Sequence, residues 1–77
     1  MTTVGQRVAE LRRAAGMTQA DLADAVDRSV SWVSQVERGV LPLDRVSILQ
    51  SLAGALRVPV GKIRPEFAFV DRKKKAT

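Results

Sequence analysis

Val4, Val8, Leu11 and Ala15 follow one another at spacings of four, three and four residues. That spacing keeps returning to one face of an α-helix, so it predicts a helix from about Thr3 to Ala15. Gly16 comes next, where a helix end favours a left-handed residue. Thr18-Gln19-Ala20-Asp21 has the form of a capping box, a hydroxyl followed three residues later by a carboxylate. It opens a short second helix, about Thr18 to Val26, with Leu22, Ala23 and Val26 inward. Asp27-Arg28 forms a corner, and Asp tolerates the left-handed conformation better than most residues. Ser29 then caps a third helix, about Val30 to Arg38, with Val33 and Val36 inward and Gly39 as its stop. Ser31, Trp32 and Gln35 fall on its other faces.

Val40-Leu41-Pro42-Leu43 is an apolar loop. Asp44 is the candidate cap of a fourth helix, about Arg45 to Arg57, whose inner positions are Leu49, Leu52, Ala53 and Leu56. Val58-Pro59 interrupts the pattern, and Pro59 starts a single-turn fifth helix through Ile63. After Pro65, the run Phe67-Ala68-Phe69-Val70 is apolar but carries weak signals of order. The expected fold is all-α, a compact five-helix bundle over residues 1–65. Residues 66–77 form a C-terminal extension, apolar then basic, read as either dimer-forming or disordered.

Composition narrows the chemistry. The chain of 77 residues has no cysteine and no histidine. Disulfides, Cys/His metal sites and the commonest catalytic base are therefore missing, and no carboxylate pair stands out. We expect no enzyme, no metal and no cofactor. No apolar run is long enough to span a membrane, which makes the cytoplasm the expected compartment. The net charge of +5 suggests an anionic partner, but its distribution matters. Residues 1–40 are neutral, with five arginines against five carboxylates. Residues 41–77 hold eight basic and three acidic residues, and most of the excess is Arg72-Lys73-Lys74-Lys75. That run reads equally as a phosphate contact or as a solvated end.

Met17 to Gly39, with "LAGALRVPVGKI" at Leu52 to Ile63, resembles the helix-turn-helix domain of lambdoid phage repressors and Cro proteins. Bacterial regulators of the xenobiotic-response-element type share that domain. The marks are Thr18-Gln19, Leu22-Ala23, Val33, Glu37 and Gly39, and the resemblance spans about Val4 to Ile63. It implies a second helix lying across the DNA backbone and a third helix in the major groove. Val30, Ser31 and Gln35 would then face base edges, with Gln35 suited to adenine and Val30 to a thymine methyl. Gln19, Arg28, Trp32, Arg38 and Arg45 would lie at the DNA backbone or groove wall. For Trp32 the competing readings are a fold back onto the Val40–Leu43 loop and a protein interface. Arg12 and Glu37 match an ion pair that pins the recognition helix to the scaffold.

Three features depart from the family pattern. Asp27 replaces the commoner corner glycine, Arg28 replaces a small or apolar residue, and the Val40–Leu43 loop lacks basic residues. Through Val40, Leu41 and Leu43 that loop could instead meet a protein partner.

The implied function is a sequence-specific regulator of transcription that binds double-stranded DNA, acting in the nucleoid. It would be a homodimer on a near-palindromic operator, with the dimer surface near Val58–Ile63 and Phe67–Val70; the competing reading folds Phe67 and Phe69 onto the chain's own core. The alternative is a protein-interaction adaptor that keeps the fold without using it on DNA. The neutral first forty residues and the apolar loop motivate that alternative.

Overall fold

Three of the helices begin on hydroxyl caps. The computed structural model describes residues 2–73; Lys74 and Lys75 of the basic run, read equally as a phosphate contact or a solvated end, lie outside the described residues. Thr3 caps α1 (Val4–Ala14) by accepting from the Gln6 backbone N–H, and Gln6 accepts in return from the Thr3 N–H. Thr18 and Asp21 make the same reciprocal box at α2 (Gln19–Ala25). Ser29 caps α3 (Val30–Glu37) through the Trp32 N–H, 3.0 Å away. Each such cap satisfies a backbone donor that the helix itself leaves open, a gain of about 1 kcal/mol. The start of α4 (Val46–Leu56) differs from expectation. Its N-cap is Arg45, with no side-chain hydrogen bond, and Asp44 is exposed outside the helix. α5 (Val60–Ile63) follows Pro59. A 3₁₀ turn (Pro65–Phe67) and α6 (Phe69–Lys73) complete the chain.

Four helices end in one way. A residue at or just after each C-cap takes a left-handed conformation: Gly16 (φ 73°), Asp27 (φ 58°) and Gly39 (φ 81°) follow the C-cap, and Arg57 (φ 59°) is the C-cap of α4 itself. The next N–H then reaches five residues back: Met17 to Arg12, Arg28 to Ala23, Val40 to Gln35 and Val58 to Ala53, all at 2.8–3.1 Å. This closure satisfies carbonyls that would otherwise lack partners and turns the chain sharply. It explains how four helices fit into so few residues.

The core draws on every helix. Val8, Leu22, Val33, Leu49, Leu52 and Ile63 are fully buried, with Val36, Val60 and Val70 beside them. The inner face of α1 is rotated from the expected one. Gly5, Val8, Ala9 and Arg12 are buried, Val4 and Leu11 lie half-buried at the margin, and Ala15 is exposed. The cause is the close approach of α3. A Cβ on Gly5 would overlap the carbonyl oxygens of Val36 and Glu37, so only glycine lets these helices meet there.

The loop after α3 corrects another expectation. Leu43 is 4% exposed and belongs to the core, and Leu41 is half-buried against it. Arg64 donates to the Leu43 carbonyl at 2.7 Å. Of Val40, Leu41 and Leu43, Leu43 is therefore withdrawn into the core, while Val40 is exposed and Leu41 half-buried.

A sixth helix lies beyond the expected five. Val70 enters the core, and the Asp71 carboxylate accepts from the N–H groups of Val60 (2.8 Å) and Gly61 (2.9 Å). Asp71 thereby caps α5, a helix that has no side-chain cap of its own. Arg7 donates to the Ile63 carbonyl at the other end of α5. Among the described residues there is no strand, no cluster of groups able to hold a metal, and no helix long and apolar enough to cross a membrane.

Candidate nucleic-acid interface

The corner between α2 and α3 fixes how α3 is presented. The Arg28 N–H bonds the Ala23 carbonyl at 2.8 Å, and Ser29 caps the helix one residue later. With Val33 and Val36 facing the core, the opposite edge of α3 turns outward. On that edge Val30 is 46% exposed, Ser31 is exposed and Gln35 is half-buried. Gln35 lies one turn from Ser31, and its amide reaches the Ser31 hydroxyl at 3.4 Å, a long and weak contact. Val30, Ser31 and Gln35 thus share one strip with donor, acceptor and methyl character.

Trp32 sits at the side of this strip. It is half-buried against the core and shares a cavity with Val26, Ile48 and Leu52. The Arg28 guanidinium lies over its ring, 5.1 Å from the centroid. With Ser47 and Ser51 of α4 these residues line a cavity of about 190 Å³.

Behind α3, one carboxylate gathers three helices. Glu37 accepts from Arg12 Nε at 2.7 Å and from Arg12 Nη2 at 3.2 Å, a two-point contact between α1 and α3. Glu37 also accepts from Gln19 Nε2 of α2 at 3.0 Å. Arg12 gives its remaining nitrogen to the Met17 carbonyl at 2.9 Å. Burial pushes the Glu37 carboxyl up, but the hydrogen bonds from Arg12 and Gln19 and the charges of Arg12 and Arg13 outweigh it. The carboxyl is held below its ordinary value. The bond to Glu37 likewise raises the Arg12 guanidinium, against the opposing effect of burial.

The expected backbone-facing residues do not form one group. Arg28 and Trp32 stack together at the α2–α3 corner. Gln19 and Arg38 line a cleft of about 480 Å³ with Gln6, Arg13 and Glu37. The Gln19 amide is tied inward by Glu37. Arg45 is exposed as the N-cap of α4. Sequence reasoning passed over Arg13. It follows the buried Arg12 directly, and a rotation of one residue puts it at the cleft, so helical spacing from Gln6 would have found it.

A family model described as a helix-turn-helix domain matches residues 3–72. The chain belongs to that family. An immunity repressor protein of Bacillus phage phi105 is 35% identical over 88% of this chain, in line with the resemblance to phage repressors. The alignment takes in 46% of that relative, so the chain spans about half the length of the curated protein it matches. The crystal structure of the clp gene regulator ClgR from C. glutamicum superposes with a TM-score of 0.73 over 96% of this chain and 88% of that one. At 23% identity that likeness is one of fold. In this helix-turn-helix domain α2 and α3 are the two eponymous helices, and Arg12, Gln19 and Glu37 lock them to α1.

Proposed function

We propose that the chain is a sequence-specific, double-stranded-DNA-binding regulator of transcription whose α3 enters the major groove. The observation that carries this is the outward strip of Val30, Ser31 and Gln35 on a helix fixed at both ends. A rigid helix with short polar and methyl-bearing side chains on its first turns fits the groove and can reach base edges. Gln35 reads an adenine through paired bonds, Val30 meets a thymine methyl, and Ser31 adds a short polar contact. Arg28, Arg38 and Arg45 meet phosphates together with Gln19 at the start of α2, and Trp32 lies at the groove wall. These contacts set orientation and register rather than sequence. The 35%-identical relative, named an immunity repressor, supports regulation over catalysis.

One such domain makes a small interface, and pairing on a twofold site raises both affinity and specificity. The protein therefore acts as a homodimer on a near-palindromic operator, with half-sites roughly 34 Å apart, in the cytoplasm at the nucleoid. Phe69, 43% exposed and stacked on Phe67 at 6.1 Å, supports a dimer surface on the α5–α6 side.

Selection of bound duplexes from a random pool, followed by anisotropy titration, tests the proposal. An enriched site with inverted half-sites and a complex of two chains is the expected result. Binding that is equal on all sequences and vanishes at modest salt would refute it and favour the adaptor reading.

A further inference from the structure

Arg28 and Trp32 are unusual together. Arg28 has no carboxylate partner among the described residues, yet its guanidinium is not left to wander, because it lies over the indole at 5.1 Å. Both backbones are held. The Arg28 N–H is bonded to the Ala23 carbonyl, and the Trp32 N–H is bonded to the Ser29 hydroxyl. The indole is itself half-buried against the core, beside the cavity it lines with Val26, Ile48 and Leu52, so the ring is a held plate. A guanidinium resting on such a plate covers one flat side and keeps its in-plane N–H groups open at the rim. The pair stands beside the first turn of α3, flanking the strip of Val30, Ser31 and Gln35.

We infer that Trp32 is the positioning residue for Arg28, whose guanidinium it presets as a clamp on a DNA phosphate next to the recognition helix. This rests on the DNA-binding reading above. Trp32 itself need not touch a base. An arginine left free would lose rotamer freedom on binding, whereas one already stacked loses less. The clamp adds affinity that is the same for every sequence, and Trp32 contributes only while Arg28 is present.

The test is a double-mutant cycle read by anisotropy on the selected duplex and on a scrambled one, over a salt series. Wild type binds the selected duplex more tightly. Arg28→Ala should weaken both duplexes about three- to tenfold and reduce the salt slope by about one. Trp32→Leu keeps an apolar plug without an aromatic face. In the wild-type background it should reproduce most of that loss, and in the Arg28→Ala background it should cause little further loss. Trp32→Phe should retain most of the affinity. Arg28→Lys leaves the tryptophan in place, so it decides the matter even if Trp32→Leu does not fold. It should keep the salt slope but bind more weakly than wild type. The inference is overturned if Trp32→Leu costs the same factor with and without Arg28, if Arg28→Ala leaves the slope unchanged, or if Arg28→Lys matches wild type. Should wild type show no preference between the duplexes while Arg28→Ala still lowers the slope, sequence-specific recognition fails and the clamp stands. Should wild type bind neither, both fail.

Discussion

Gln35 and Glu37 sit two residues apart on α3 and perform opposite duties. Gln35 points toward the outer strip, while Glu37 turns inward to Arg12 and Gln19. Removing Gln35 should therefore change what is recognised and leave the fold alone. We expect Gln35→Ala to lose about 1–3 kcal/mol of discrimination at one base step, with nonspecific affinity nearly unchanged. Titration against duplexes varied at single positions measures it, and an even loss on all of them would remove Gln35 from base recognition. Glu37 answers instead to pH. Its carboxyl is held below the ordinary value, so the folded state favours the ionised form. The stability this provides is fully present above the unfolded carboxyl's pKa, about 4.5, and is lost as pH falls through the lower folded value. Urea unfolding between pH 3 and 7 should show that acid limb in wild type, and a shallower limb in Glu37→Gln. Glu37→Ala should cost about 3 kcal/mol at neutral pH, because it leaves the Arg12 guanidinium buried without its partner. The pair was legible only through family likeness, since a separation of 25 positions hides it from any local pattern.

At the scale of the helix, the chain solves one problem four times and not equally well. Gly16 and Gly39 meet the left-handed closure without strain, whereas Asp27 and Arg57 carry a side chain into it. Arg57 has no local polar side chain to compensate, so Arg57→Gly should raise stability by about 0.5–1 kcal/mol, net of glycine's greater freedom when unfolded. For a domain of this size that is a rise of a few degrees in melting temperature, readable by circular dichroism. A fall would mean that the Arg57 side chain contributes more than its backbone strain costs. Closures and caps were the readable part of the sequence. The box at Thr18, the cap at Ser29 and the stops at Gly16 and Gly39 depend on residues only a few positions apart. Arg57 gave no sign, because arginine carries no left-handed preference. The start of α4 misled because Asp44 is a good cap by type, yet the chain is still extended at Arg45 as it leaves the buried Leu43. The rotated face of α1 was hidden in the same way, since Gly5 is set by α3, some thirty residues on.

Over the whole molecule, the core does not stop at Pro65. Val70 fills it from α6, and Asp71 reaches back to cap α5 across ten and eleven residues. Neither role leaves a periodic trace, as the segment is short and its partners are backbone N–H groups elsewhere. α5 has one turn, too little to persist by itself, so it depends on what closes both its ends. Arg7 holds the carbonyl end through Ile63, and Asp71 holds the amide end. Asp71→Ala should therefore act at a distance in sequence. We expect a loss of about 1–2 kcal/mol, since two partly buried donors lose their acceptor, with faster hydrogen exchange at Val60 and Gly61. Exchange in α2 and α3 should respond only through the global loss. Cutting the chain after Pro65 should do more, because it removes Val70 and uncovers Val60 and Ile63 together. If residues 1–65 unfolded in urea with the midpoint of the full chain, α6 would be an ornament on the domain. If the midpoint drops while the Asp71→Ala loss stays near that of a cap, then α6 belongs to the same cooperative unit as α3. A dimer surface on the α5–α6 side would then be coupled to the stability of the DNA-reading half of the molecule.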